Sequence, residues 1–393
     1  MYQFEAERSP RFAGGSYLLV ACILLLAGIG LVTLYSSSYA LASRLYRDGG
    51  LYFISRQLKA GALGIVLFFL ASRVNLDVLR KLIKPLVIFT VIFCILTFIP
   101  GIGDTRNGAS RWIKLPVLGV TFQPSELVKL ILPLYLAHIF DKKQERLDEF
   151  STGVLPPVLV TALFFIIIYL QNNFSTAVFI AVNALFIFFL AGVRLRYFFS
   201  AIIMLLPLSG LLILTKEHRL RRLISYIKPE WEPQGAGYQV GSSVRTIISG
   251  GFLGKGLGQG TRKVASIPEV HSDFIFTSFA EETGFLGVIL IFALFGGFAF
   301  FSYRGAMRSA SQYRRLLACG LVTMILSQAM LNIAVVSGSL PATGLPLPFF
   351  SAGGSSLACT LLMTGLIVNI CRSGDYQFQD IPYLEAGGGL HVR

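Results

Sequence analysis

The sequence predicts an all-α polytopic membrane protein of ten transmembrane helices, with a long external loop between the seventh and the eighth. Three observations predict it. Hydrophobic residues make up 54% of the 393 residues and charged residues only 14%, too little polar surface for a soluble globule of that size. Apolar runs able to cross about 30 Å of hydrocarbon, with tilt where they are short, recur along the whole chain. Lysine and arginine concentrate in alternate short connections, about 17 on one side against about 7 on the other, which places both termini in the cytoplasm.

The predicted spans are 16–38, 57–72, 83–100, 124–140, 153–170, 174–192, 197–215, 273–302, 315–338 and 350–371. They form one transmembrane body, 16–371, between cytoplasmic tails at 1–15 and 372–393. The external loop, 216–272, carries about 9 basic residues, and its length exempts it from the orientation rule. The first span follows Glu5, Glu7, Arg8 and Arg11 without a cleavage signal and reads as a retained helix. It ends in Tyr35-Ser36-Ser37-Ser38, hydroxyls suited to bonding back to helix carbonyls. The second enters through Arg56, Gln57 and Lys59, whose stems can snorkel to the interface.

A polar connection with Arg111 and Trp112 precedes the fourth span, which starts at Pro124 with Ser125 and Glu126 in its first turn. Lys129 follows Glu126 by three residues on the same helix face, so an internal ion pair and a functional role are equally open. Gln171-Asn172-Asn173 leaves room only for a tight turn, with Ser175 and Thr176 as caps. Within the external loop, Leu220, Leu223, Ile224 and Ile227 recur at helical spacing opposite a basic face, the pattern of a helix lying on a membrane surface. After Pro229 and Pro233 comes a glycine-rich stretch through Gly250, Gly254, Gly256, Gly258 and Gly260, with Arg245, Lys255, Arg262 and Lys263 interspersed. It lacks the strand-to-helix context and Lys-Ser/Thr ending of a nucleotide loop, and reads as a re-entrant segment able to approach a ligand closely. Leu340 to Ser356 is proline-rich and apolar, and irregular backbone of that kind is tolerated at membrane depth only inside protein or along a cavity.

The net charge of +14 has no basic, aromatic-interleaved soluble domain behind it, so orientation signals and contact with anionic lipid explain it better than nucleic acid. Cys22, Cys94, Cys319, Cys359 and Cys371 all lie in or at the ends of spans, which excludes a disulfide framework.

The chemistry concentrates where the external loop meets the eighth span. Asp273 stands directly before Phe274-Ile275-Phe276, where a half-desolvated carboxylate can hold or take a proton. If the helix runs unbroken from there, Glu281 falls about 80° round the axis and ~12 Å deeper, with Glu282 roughly opposite. Ionisable residues inside membrane segments point to function.

Five motifs carry a resemblance. They are Pro268-Glu269-Val270-His271-Ser272-Asp273-Phe274-Ile275-Phe276 with Glu281-Glu282-Thr283-Gly284; Gly108 to Ile113; Gln123-Pro124-Ser125-Glu126 with Lys129; Gly237-Tyr238-Gln239; and Gly344 to Ser351 with Gly353 to Ser356. Together they resemble the SEDS family of bacterial FtsW, RodA and SpoVE proteins, and Tyr35 to Ser38 with Arg56-Gln57 is more similar to the FtsW branch. The resemblance implies a peptidoglycan glycosyltransferase that polymerises lipid II outside the cytoplasmic membrane beside a class B penicillin-binding transpeptidase and other division or elongation proteins. It implies Asp273 as the essential acid, Glu126 and Lys129 as further catalytic residues, and Arg111, Trp112, Ser125, Gln239, Arg245, His271 and Glu281 as substrate-binding residues. Two positions depart from the family pattern: Asn173 stands where a carboxylate is usual, and Ala352 where a tyrosine is usual.

In the reaction so implied, the 4-hydroxyl of one lipid-linked disaccharide attacks the anomeric carbon of another and expels a lipid pyrophosphate. Asp273 is the candidate base. Arg111, Lys129 and Arg245 are candidate cations for the leaving group, with a divalent cation, Mg²⁺ or Mn²⁺, as a candidate addition. Glu126 would hold Lys129, and the centre would invert without a covalent enzyme intermediate. The rival reading is a lipid carrier or flippase in which Asp273, Glu281 and Glu282 relay protons. A scaffold that recruits a cell-wall enzyme is a third, and it leaves the acids unexplained.

Overall fold

A computed structural model describes residues 15–45, 49–106, 108–115, 120–228, 236–260 and 270–379. Pro229, Pro233, Arg262, Lys263, Pro268, Glu269 and most of both tails lie outside the described residues. The chain folds as a polytopic helical bundle. Its helices are α1 (Gly15–Leu45), α2 (Tyr52–Ala71), α3 (Leu76–Lys81), α4 (Ile83–Leu96), α5 (Pro124–Lys142), α6 (Leu155–Leu170), α7 (Phe174–Leu190), α8 (Leu195–Leu214), α9 (Glu217–Ile227), α10 (Ala236–Ser249), α11 (Ile275–Met307), α12 (Gln312–Val336) and α13 (Gly354–Gln379). Each of the ten apolar stretches lies on one of these helices, and six are long and apolar enough to cross a membrane. α4 and α7 are shorter apolar helices.

α5 is buried along most of its length, from Pro124 to Phe140, and α12 and α13 are buried to at least a similar degree. A helix apolar on all sides belongs in the interior, and α5 carries Glu126 and Lys129 there, away from lipid. α2 shows the opposite character: Leu63, Ile65, Val66, Phe69 and Leu70 are exposed, as a lipid-facing helix requires. Where α2 meets α13, small residues let the helices close up. A Cβ on Gly64 would lie 2.6 Å from Leu361 Cδ1, and one on Gly365 2.5 Å from Phe68 O. α3 begins at Asn75, whose side chain accepts from Asp77 N at 2.8 Å.

Between α4 and α5 the structure adds a feature that the sequence did not announce. A three-stranded antiparallel sheet, β1 (Gly103–Arg106), β2 (Ala109–Leu115) and β3 (Val120–Phe122), runs in the order β1-β2-β3. Gly103 pairs with Ile113 and Ile113 with Phe122. The turn between α6 and α7 fastens this sheet to the bundle. Asn172 adopts φ 58°, a conformation asparagine tolerates, and its Nδ2 donates to Gly108 O at 2.7 Å. Gln171 Nε2 donates to Cys94 O and to Thr97 Oγ1 at the end of α4. The tight turn is as expected, but Asn173 is the N-cap residue and no side chain caps the helix.

The expectation of an unbroken helix from Asp273 is corrected. α11 starts only at Ile275 and is broken at Gly284, which has φ 65° and ψ −162°. That region of backbone space belongs essentially to glycine. The break is filled by the glycine-rich segment after α10. Lys255 N donates to Glu281 O, Gly256 N to Glu282 O, Phe285 N to Gly251 O and Leu286 N to Phe252 O, at 3.0 to 3.3 Å. The groups freed by the kink are thereby satisfied, as a low-dielectric interior demands. The glycines serve a close approach of backbone to backbone. A Cβ on Gly284 would lie 2.2 Å from Gly254 N, and one on Gly254 2.1 Å from Glu282 O. Gly284→Ala therefore combines a forbidden backbone conformation with a clash, at ~1–3 kcal/mol each. The thermal midpoint in detergent should fall markedly, and an unchanged midpoint would show that the segment does not dock there.

Candidate active site

One cavity of 1730 Å³ opens at the end of the bundle that carries the sheet. Its polar walls include Arg111 and Trp112 of β2, Lys216, Arg219 and Arg222 at α9, Gln239 of α10, and His271, Ser272 and Asp273 before α11. Glu126 and Asn173 also reach it. Its apolar wall is drawn from α2, α7 and α13, with Leu63, Leu67, Val178, Val182, Ala358 and Leu362.

Asp273 sits in the turn leading into α11, where neighbouring backbone fixes it. Ser272 Oγ donates to Asp273 Oδ1 at 3.1 Å, and Asn332 Nδ2 donates to Asp273 O at 2.8 Å. The segment from Gly344 to Ala352 packs alongside. Ala352 N donates to His271 O at 3.0 Å, and Ser351 Oγ donates to Ser272 O at 2.7 Å. Since the first of these uses only the backbone of Ala352, it does not require the family's usual tyrosine. Gly344, at φ 72°, lies so near that a Cβ there would come within 3.3 Å of Asp273 Oδ2. The His271 ring rests on Phe53, with centroids 4.1 Å apart.

The arginines face this acid. Arg111 Nη2 donates to Asn172 O at 2.5 Å, so the turn that holds the sheet also aims the guanidinium. Arg219 is buried, donates to Leu212 O at 2.9 Å, and lies over the rings of Tyr169 and Phe174 at 4.7 and 4.9 Å. Burial holds Arg111 below the ordinary arginine pKa, Arg222 and Arg219 push it the same way, and Asp273 pulls it back. Arg222 is open to the cavity yet largely ringed by protein. That surrounding lowers its pKa, and again Asp273 opposes the shift. Arg222 and Arg219 repel Arg111, and Asp273 attracts both Arg111 and Arg222, so this part of the cavity is strongly cationic.

Several expectations fall elsewhere. Lys129 and Arg245 are not among the cavity-lining residues; the basic side chains that are include Arg56, Lys59, Arg111, Lys216, Arg219 and Arg222, of which Arg111 and Arg222 feel the charge of Asp273. Arg219 and Arg222 were legible only as the basic face of an amphipathic helix, and that face turns into the cavity. Lys129 and Glu126 are 1% and 2% exposed and pair at 2.7 Å, with Lys129 also donating to Gln328 Oε1 at 2.8 Å. Ser125 is buried behind the cavity wall with no hydrogen-bond partner for its hydroxyl. Glu281 is fully buried against Lys255 at 2.6 Å, and Glu282 accepts from Ser36 Oγ at 2.5 Å. These two acids tie the kink to its neighbours and do not line the cavity. Breaking the Glu126–Lys129 pair with Lys129→Met leaves a buried carboxylate uncompensated, at about 3–5 kcal/mol. Adding Glu126→Gln should return most of the lost thermal midpoint, and a double variant no more stable than the single would argue against the pair.

Asn173 lines the cavity, is 5% exposed, and its Nδ2 has no hydrogen-bond partner, so it offers a donor where the family pattern has an acid. Among the described residues no three His, Cys, Asp or Glu side chains converge as metal ligands. They therefore supply no all-protein cage for Mg²⁺ or Mn²⁺. Of the carboxylates at the cavity, Glu126 is engaged by Lys129, so such an ion would rely on Asp273 and on phosphates that arrive with a ligand.

The fold and the site define a class: a polytopic helical membrane protein in which Asp273 and a cluster of arginines share a cavity with an apolar wall. Residues 16–376 match the FTSW_RODA_SPOVE family, described as cell cycle protein. The chain belongs to this family. It is 38% identical over 341 residues to a probable peptidoglycan glycosyltransferase FtsW of Geobacter metallireducens, covering 87% of this chain and 90% of that one. It is 35% identical over 361 residues to stage V sporulation protein E of Bacillus subtilis, covering 91% and 97%. Among solved structures it is similar to a chain of a peptidoglycan synthase complex that coordinates polymerisation and crosslinking, with TM-score 0.76, 28% identity and coverage of 91% and 98%. The rod shape determining protein RodA of Thermus thermophilus matches with TM-score 0.66, 26% identity and coverage of 90% and 96%.

Proposed function

We propose that this chain is a peptidoglycan glycosyltransferase that polymerises lipid II into glycan strands at the outer face of the cytoplasmic membrane. The observation that carries the reading is one cavity that Asp273 shares with Arg111, Arg219 and Arg222 and with an apolar wall. That arrangement suits a ligand with a sugar, a pyrophosphate and a lipid tail. The relatives named above as peptidoglycan glycosyltransferases support the same activity.

In the proposed reaction, the 4-hydroxyl of one disaccharide loses its proton to the Asp273 carboxylate as its oxygen bonds to the anomeric carbon of the other. The bond from that carbon to the pyrophosphate oxygen breaks, and the electron pair leaves with the lipid pyrophosphate. Arg111, Arg219 and Arg222 stabilise the charge that gathers there, in place by virtue of the fold. The α-linkage becomes β, with one acid sufficient. A divalent ion, held by Asp273 and the substrate's phosphates, would add positive charge beside the leaving group. Asn173, Trp112, Gln239 and His271 line the cavity with polar groups and would contact the disaccharide.

In this reading all ten helices that carry the apolar stretches cross the membrane. Both termini lie in the cytoplasm, and the connection 216–272 lies outside together with the sheet. A class B penicillin-binding transpeptidase is the proposed partner, supported by the similarity to a chain of a synthase complex. The flippase alternative is tested in the same experiment. With the chain and its transpeptidase in vesicles holding lipid II, glycan chains should form. Movement of lipid II across the vesicle with no polymer would replace the glycosyltransferase reading with a carrier.

A further inference from the structure

We infer that Gln328 and Asn332, on one face of α12, are positioning residues that tie the buried Glu126–Lys129 pair to the acid of the cavity. The inference rests on the reading of Asp273 as the base. Lys129 Nζ donates to Gln328 Oε1, and Gln328 Nε2 donates to Pro346 O, both at 2.8 Å. One turn further along, Asn332 Nδ2 donates to Leu345 O and to Asp273 O, both at 2.8 Å. The path runs from carboxylate to ammonium, through an amide, across the Leu345–Pro346 peptide and through a second amide to the peptide of Asp273.

The chemistry of the segment explains why it needs these amides. Leu345 is buried in an irregular segment with no helix or strand partner, and its carbonyl and that of Pro346 are met by side-chain donors from α12. Residues four apart on a helix share a face, and the amides of Gln328 and Asn332 supply two adjacent rungs. Lys129 engages the oxygen of Gln328, which leaves its nitrogen directed at Pro346. The held segment is also the wall of the acid: Gly344 stands where a Cβ would touch Asp273 Oδ2 at 3.3 Å. Asn332 therefore fixes the carbonyl of Asp273 and the wall of its carboxylate at once. Neither amide lines the cavity, so neither acts on substrate directly. Lys129 thereby gains a role that does not require it to touch phosphate.

The test uses the full-length chain assembled with its transpeptidase partner, and lipid II as substrate. Asn332→Leu and Gln328→Met remove the donors at similar volume. A carboxylate displaced by a fraction of an ångström should lower kcat by roughly 10- to 100-fold while KM for lipid II stays within about threefold. Unchanged kcat in either folded variant would overturn the proposal, as would a loss carried by KM. A lower thermal midpoint is expected of both variants, since carbonyls lose their donors; wild-type kcat recovered on assaying them well below that midpoint would make the amides structural supports only, and the positioning role would fall. Asp273→Asn in the same assay separates the two claims, since activity there would remove the base itself whatever the amides do.

Discussion

Asp273→Asn should leave the chain folded and in the membrane while lowering lipid II polymerisation by at least about 10²- to 10⁴-fold, the range a positioned general base supplies. The substitution is close to isosteric. Ser272 Oγ can still bond an amide oxygen at that position, and the bond from Asn332 goes to the backbone carbonyl. What is lost is the capacity to take a proton from the attacking hydroxyl. Polymerisation rate with purified lipid II, next to a thermal midpoint, reads both effects. A rate within a few-fold of wild type would remove Asp273 from the chemistry.

The second large effect is expected at Arg222. Arg222→Gln should cost about 10²- to 10³-fold in kcat, comparable to the loss of one preorganised stabiliser of developing charge. Its position explains the size. Arg222 faces the cavity within the influence of Asp273 and Arg111, in surroundings that oppose its charge. A guanidinium lining the cavity near Asp273 can reach an anion bound there. Arg219 is a poorer probe, because its stacking on Tyr169 and Phe174 mixes charge with packing. Arg222→Lys should keep part of the rate, since an ammonium supplies charge without the guanidinium fork. Full activity of Arg222→Gln would move the leaving-group role elsewhere.

How much of this the sequence revealed follows from which forces act locally. The helices were legible because hydrocarbon demands long apolar runs, whatever lies around them. The Glu126–Lys129 pair was legible as one of two readings, since three residues on a helix bring side chains together. The break at Gly284 was not, because a glycine in a helix says nothing until the segment from Gly250 to Gly256 is seen to enter beside it. The sheet from Gly103 to Phe122 escaped notice for a similar reason: its strands are short, polar and without strict alternation. Arg219 and Arg222 were visible as a basic helix face, but the same pattern describes a helix on lipid and a helix over a cavity. Glu281 looked like a cavity acid, and its partner Lys255 stands in a distant loop with no local signal. Gln328 and Asn332 were ordinary polar residues in an apolar helix until their partners on α5 and beside Asp273 were in view.

The most direct test is the structure of the Asp273→Asn chain with lipid II bound. The account predicts the pyrophosphate within hydrogen-bonding reach of Arg111, Arg219 or Arg222, the lipid along the wall of α2, α7 and α13, and a sugar hydroxyl beside residue 273. A substrate seated with its pyrophosphate away from those arginines, or with residue 273 sealed off from the sugar, would contradict it.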